Sequence, residues 1–209
     1  MPGLEFADSF CCKLAKWMPI SWDCSGYWVR DSRWMAHNYR VDPLYLKNNL
    51  EESSMIPDFK NWEIALGRRL RCLKVWFVLR MYGVEGIQKH IRNHVDLAHH
   101  LETLLEEDGR FEIVAPVNLG LVCFRLKNSS NLMNERLNIA INSMRKIFAT
   151  PATLDGKISL RIAICSRFAD KSTIEKCFQE ICDAHQSMQG KGRFYFTVRK
   201  ITCFGLGGF

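Results

Sequence analysis

The sequence has no run of apolar residues approaching the roughly 20 that a membrane-crossing helix needs, and its N-terminal stretch lacks the pattern of a secretory leader. Its nine cysteines contain no CxxC pair, which removes zinc-finger spacing from consideration. Cys11 and Cys12 are adjacent, the others are scattered and the total is odd; thiols used this way suit a reducing cytosol, so a cytoplasmic protein without a membrane partner is expected. No internal repeat is visible. His90 and His94 stand four apart on an expected helix, but the residues between them are Ile91, Arg92 and Asn93, with no glutamate to complete a zinc-protease motif, so no metal site is expected.

What is present is the material of a folded chain. At 209 residues and 47% hydrophobic content it can bury a sizeable core, with room for two unequal domains. The net charge is +7, and Arg68, Arg69, Arg71, Lys74 and Arg80 cluster beside Trp76 and Phe77. A nucleic-acid surface would want such a set. The preferred reading is a buried helix with one basic edge, its aromatics in the core, and no nucleic-acid partner.

Along the chain, Ala7–Phe10 ends one strand and Ile20–Val29 forms another, both expected to be buried. Residues 31–40 read as polar and irregular, and 38–54 as a long loop around Pro43, Asn48 and Asn49. From Arg68 the pattern Leu70, Leu73, Val75, Trp76, Phe77, Val78, Leu79 is apolar nearly all round, the mark of a buried helix. Gly83 and Gly86 stop it. Ile87, Ile91, Val95, Ala98, Leu101 and Leu105 then repeat at helical spacing in a second helix over 84–107, closed by Asp108-Gly109. Past Gly109 the period changes. Strands are expected over 111–115 and 119–126, a helix over 132–144, and a strand pair over 147–153 and 157–165 turning at Asp155-Gly156. A last helix over 171–188 has Ser172 or Thr173 as its cap. This order suggests an α+β unit with helices on one sheet face. Residues 189–209 read as a divergent tail with one β-prone run, Phe194–Ile201.

Lys16 lies between the first two strands. Trp17 and Met18 follow it directly, so its amine is expected among apolar neighbours, a desolvation that suits a nucleophilic, Schiff-base-forming amine.

Ala7-Asp8-Ser9-Phe10, then Lys16-Trp17-Met18 and the run from Asp23 to Trp34, closely resemble the group II pyridoxal-phosphate-dependent decarboxylases, and within them the aromatic-L-amino-acid decarboxylases that act on dopa, tyrosine or tryptophan. The resemblance continues through Asp42–Asn49, Ile56–His94, Phe111–Pro116, Leu119–Lys127 and Arg161–Phe168, and so spans Gly3 to about Met188. It implies an α/β architecture: residues 1–109 as a remnant of the large cofactor domain of a fold-type-I transferase with its linking helices, 110–188 as a small α+β C-terminal domain, and 189–209 as the tail. It also implies pyridoxal 5'-phosphate as cofactor and release of carbon dioxide from an aromatic amino acid to give the amine.

By the same resemblance Lys16 would hold the cofactor. Tyr45, in the run Asp42–Asn49, would stand on a mobile lid that closes over the neighbouring subunit's site and delivers a proton. Relatives with phenylalanine there make an aldehyde, so Tyr45 favours simple decarboxylation. Gly67, in Leu66-Gly67-Arg68-Arg69, would leave room for a larger substrate ring; read as sequence alone, it is equally a helix-entry glycine.

Members of this family are more than twice as long. Their ring-stacking histidine, the aspartate on the pyridine nitrogen and most phosphate-binding residues have no counterpart here. The usual Asn-Phe-Asn-Pro-His-Lys run is replaced by Cys11-Cys12-Lys13-Leu14-Ala15-Lys16, which puts Lys13 at a cofactor-contacting asparagine and Ala15 at the histidine. The expectation is a truncated or degenerate form with no activity alone, working as a homodimer or with a full-length relative. The alternative is a non-catalytic fragment that binds or regulates such a relative. The apolar stretch 68–82 would be covered in a complete dimer, so here part of it should be exposed.

Overall fold

The computed structural model describes residues 2–41, 43–46, 59–65, 67 and 69–190. The expected Phe194–Ile201 strand, most of the 189–209 tail, Arg68 and most of the 38–54 loop lie outside the described residues. The chain is mixed helix and sheet, and it falls into two compact units, 1–92 and 93–209. The divide lies inside a long helix, whereas the change of sequence period lies at Gly109.

In the first unit, β1 (Ser9–Cys12) and β2 (Gly26–Val29) pair antiparallel, from Ser9 opposite Val29 to Cys12 opposite Gly26. The second strand is shorter than the pattern suggests, and neither strand is buried. A two-stranded ribbon has no neighbouring strand to hide its faces, and it is marginal without packing from elsewhere. The stretch expected to be irregular is α1 (Ser32–Tyr39): Asp31, in extended conformation, caps it by accepting from Arg33 N at 2.9 Å. This N-cap aspartate outweighs the polar composition that argued for a loop. Short 3-10 turns follow at Leu44–Leu46 and Phe59–Trp62.

The next element, α2 (Cys72–Asp108), starts later than expected and runs through both expected helices. Gly83 breaks it with φ 64 and ψ 178, so the stop appears as a kink. Its first turns are not buried: Leu73, Trp76, Phe77, Leu79 and Met81 are all exposed. Among the described residues of this unit, the buried apolar side chains are Ile20 and Cys24. Among the described residues, the unit thus has no core against which a helix apolar on every side could hide.

The second unit has one. Strands β3 (Phe111–Ile113), β4 (Leu121–Leu126), β5 (Thr150–Leu154) and β6 (Lys157–Ala163) form an antiparallel sheet in the order β3-β4-β6-β5. The strand alternation puts Val122, Phe124, Leu160 and Ile162 into one core with Leu97, Leu101 and Leu105 of α2, Leu137 and Ile141 of α3 (Asn131–Ser143), and Ile174 and Ile181 of α4 (Lys171–Gly190). The hairpin turn lies where expected: Asp155 (φ 49) and Gly156 (φ 73) both take the left-handed conformation that a tight two-residue turn requires.

Asparagines stitch α3 to the sheet. Asn131 bonds Gly156 O and Ile158 N, both at 2.9 Å; buried Asn134 accepts from Leu126 N at 2.8 Å; and Asn142 bonds both backbone groups of Ala149. The cap of α4 is Asp170, not Ser172 or Thr173: its carboxylate accepts from Thr173 N at 2.8 Å and from both hydroxyls. Where α2 gives way to β3, Arg110 grips Asp108 through two 2.6 Å bonds and also reaches Cys182 and His185 of α4. The Arg110 guanidinium draws the Asp108 carboxyl below its ordinary range. Burial, with help from Arg110, pushes His185 down.

Candidate functional site

The lysine loop leaves β1 at Cys12. Lys13 stays extended, and Leu14–Lys16 form one 3-10 turn in which Lys16 N donates to Lys13 O at 3.1 Å. Ala15 N donates to Cys24 O at 3.3 Å and fastens the turn to the return strand. Lys16 is exposed, and among the described residues its amine has no hydrogen-bond or ion-pair partner. The apolar burial expected from Trp17 and Met18 is therefore absent. Those side chains are half-buried.

Lys13, three residues earlier, is engaged. Its Nζ sits over the Trp22 ring, 3.9 Å from the centroid. The Trp22 segment is held in turn by the basic cluster: Lys74 Nζ donates to Trp22 O at 2.9 Å, and Arg71 Nε reaches Asp23 Oδ2 at 3.4 Å. A backbone hydrogen bond, and then Arg71, keep the Asp23 carboxyl below its ordinary range. Two residues of the expected basic edge thus serve intramolecular contacts. The histidine pair is also accounted for: His90 Nε2 lies 3.3 Å from Trp17 O, and His94 Nε2 lies 3.0 Å from Ser166 O, so the two rings address different carbonyls.

Tyr45 stands on the Leu44–Leu46 turn with its side chain 80% exposed. Gly67 is exposed, and a Cβ built there would meet nothing within 4 Å, so among the described residues no wall gives the missing side chain a steric purpose. No hydrogen bond or ring contact joins Lys16, Tyr45 and Gly67 to one another among the described residues. An open cavity of about 420 Å³ lies along α1, lined by Asp31, Arg33, Trp34, His37 and Asn38, and it includes none of the three. Sequence reasoning missed the Lys13–Trp22 contact and the Asp31 cap. The second was signalled by an aspartate directly before Ser32-Arg33-Trp34; the first had no local signal.

Residues 1–127 match the family described as "Pyridoxal-dependent decarboxylase conserved domain". The chain belongs to this family. It is 48% identical to the aromatic-L-amino-acid decarboxylase of Cavia porcellus over 181 residues, 87% of this chain and 38% of that one. It is 49% identical to that of Manduca sexta over 183 residues, 88% of this chain and 35% of that one. The chain thus spans well under half the length of these curated relatives. Among solved structures it resembles an Oryza sativa TDC with PLP and tryptamine (TM-score 0.85, 31% identity, 90% of this chain and 40% of that one). It also resembles a Rhodiola rosea 4-hydroxyphenylacetaldehyde synthase (TM-score 0.77, 26% identity, 90% and 38%).

Proposed function

We propose that this chain is the lysine-bearing and C-terminal portion of a pyridoxal-phosphate-dependent aromatic-L-amino-acid decarboxylase, a cytoplasmic carboxy-lyase that converts an aromatic amino acid to its amine. In this reading residues 1–109 are what remains of a fold-type-I cofactor domain, 110–188 are the small C-terminal domain and 189–209 are a divergent tail. The observation that carries it is Lys16, which lies inside the matched family region and presents an exposed primary amine. That donor suits an aldehyde cofactor, and Lys16 would hold it. When bound, such a cofactor supplies the electron sink for loss of carbon dioxide.

The chain's own residues do the rest. Tyr45, on an exposed turn, carries a phenol that can deliver a proton to the substrate's α-carbon while its loop shuts out water. By the family resemblance, Gly67 would leave room for an aromatic substrate ring. The site would be completed by a second polypeptide, either a copy of this chain or a full-length relative.

The test is optical. Pyridoxal phosphate added to the purified chain should produce a visible absorbance band that sodium borohydride abolishes and the Lys16→Ala variant lacks. An identical band in that variant would overturn the assignment.

A second reading, that the chain is a non-catalytic fragment binding a full-length decarboxylase, is favoured by Lys13, Ala15 and the uncovered apolar residues of α2. Co-purification with a full-length enzyme whose turnover falls on binding would support it.

A further inference from the structure

The lysine turn carries two amines, Lys13 at its start and Lys16 at its end, and the structure treats them differently. We infer that Trp22 is a selectivity residue: by holding the Lys13 ammonium against its ring, it leaves Lys16 as the amine of this turn that reacts with an aldehyde.

The argument is geometric. Lys13 Nζ lies 3.9 Å from the Trp22 ring centroid, well within the range of a cation–π contact. An amine held against a ring must leave it before its nitrogen can reach a carbonyl carbon, and leaving forfeits the contact. Lys16 has no such contact, and among the described residues no hydrogen bond or ion pair holds its amine. The ring is placed by a clamp. Lys74 Nζ binds the Trp22 carbonyl at 2.9 Å, Arg71 reaches Asp23 at 3.4 Å, and Cys24 O takes the amide of Ala15 at 3.3 Å, joining the ring's segment to the turn itself. The basic residues at the head of α2 thus have a task in the lysine loop, fixing the ring that occupies Lys13.

In the reaction, the Lys16 nitrogen lone pair adds to the aldehyde carbon, the carbonyl oxygen leaves as water after taking up protons, and a C=N bond remains. Borohydride supplies the hydride that converts it to a stable secondary amine. The inference rests on the proposed function for the identity of the aldehyde, pyridoxal phosphate.

The experiment is limited labelling of the full chain with pyridoxal phosphate and borohydride, followed by mass mapping of Lys13 and Lys16 in wild type, Trp22→Ala and Trp22→Phe. Trp22 is 70% exposed, so these changes leave the buried residues in place, which circular dichroism checks. Wild type should carry label on Lys16 in excess of Lys13. Trp22→Ala should raise the Lys13-to-Lys16 ratio roughly two- to fivefold, the value of an exposed cation–π contact, and Trp22→Phe should fall between. Lys16 labelled, with Lys13 labelled equally in wild type or unchanged in Trp22→Ala, would overturn this inference and leave the proposed function standing. No label on Lys16 in any variant would overturn both.

Discussion

Asn142 and Ala149 exchange a pair of hydrogen bonds, each 2.9 Å: the side-chain oxygen accepts from Ala149 N, and the side-chain amide donates to Ala149 O. One side chain thereby satisfies both backbone groups of a residue with no solvent exposure, just before β5 begins. An amide is the side chain that offers a donor and an acceptor together for this task.

Replacing Asn142 by alanine strands both groups of Ala149. A buried backbone group left unpaired costs about 1–3 kcal/mol, so Asn142→Ala should destabilise the second unit by about 2–4 kcal/mol. Asn142→Asp keeps the acceptor and loses the donor, and should lie between. Urea unfolding followed by far-ultraviolet circular dichroism reads both. Equal midpoints for wild type and Asn142→Ala would show the pair to be dispensable.

Acid should weaken the second unit in two stages. His185 has its folded value pushed below the ordinary 6.5, chiefly by burial, so the unfolded chain takes up a proton first. Stability is full above 6.5 and declines as pH falls from there through the lower folded value. Asp108 is held below its ordinary 3.8, chiefly by its hydrogen bonds from Arg110; its contribution is present above 3.8 and is lost as pH falls further. Thermal melts from pH 8 to pH 3 should show both declines, and His185→Gln should remove the first alone. A melting temperature flat between pH 7 and pH 5 would contradict the His185 assignment.

The core of the second unit should respond to cavities in the usual way. Leu101 is fully buried between α2 and the sheet, and Leu101→Ala should cost about 2–5 kcal/mol. A matching change at Leu73, which is 42% exposed, should cost far less. Similar losses at the two positions would mean that the first turns of α2 are buried in solution.

Leu73, Trp76, Phe77, Leu79 and Met81 put large apolar side chains on the surface of one short helical stretch, and clusters of that kind drive association. Size-exclusion chromatography with light scattering should show mass rising with concentration, and Trp76→Glu with Phe77→Glu should suppress the rise. A sharp monomer peak over a tenfold concentration range would indicate that this surface is covered within the chain.

The purified chain alone should release no measurable carbon dioxide from dopa, tyrosine or tryptophan. By the proposed function this chain carries part of a cofactor site, and each ~1.4 kcal/mol of transition-state stabilisation missing from it is a factor of ten. Turnover at roughly 1–10³ s⁻¹, the ordinary enzyme range, would refute this.

The second unit was the more legible in sequence because its elements are local and periodic. Leu101 and Leu105 announce a buried helix face, and Asp155-Gly156 announces a hairpin, without knowledge of anything distant. Asp31 and Asp170 show where such reading slips, since a carboxylate directly before a helix competes for notice with nearby hydroxyls and with loop-like composition. In the first unit, hydrophobic character was a poor guide to burial. Trp76 and Phe77 read as core because apolar side chains usually find cover, and here the described residues of their unit offer none. Lys16 could be singled out by resemblance, but the difference between it and Lys13 depends on Trp22 and on residues about fifty positions further on.

The kink at Gly83 has a consequence for how this chain can change over time. A straight helix fixes the rotational phase of all its residues, so an inserted or deleted residue turns every later side chain by about 100°. With φ at 64, Gly83 interrupts that phase. Length changes before it can be absorbed without rotating Leu97, Leu101 and Leu105 away from the sheet. Helix length upstream of Gly83 can therefore change while the helix downstream keeps its register.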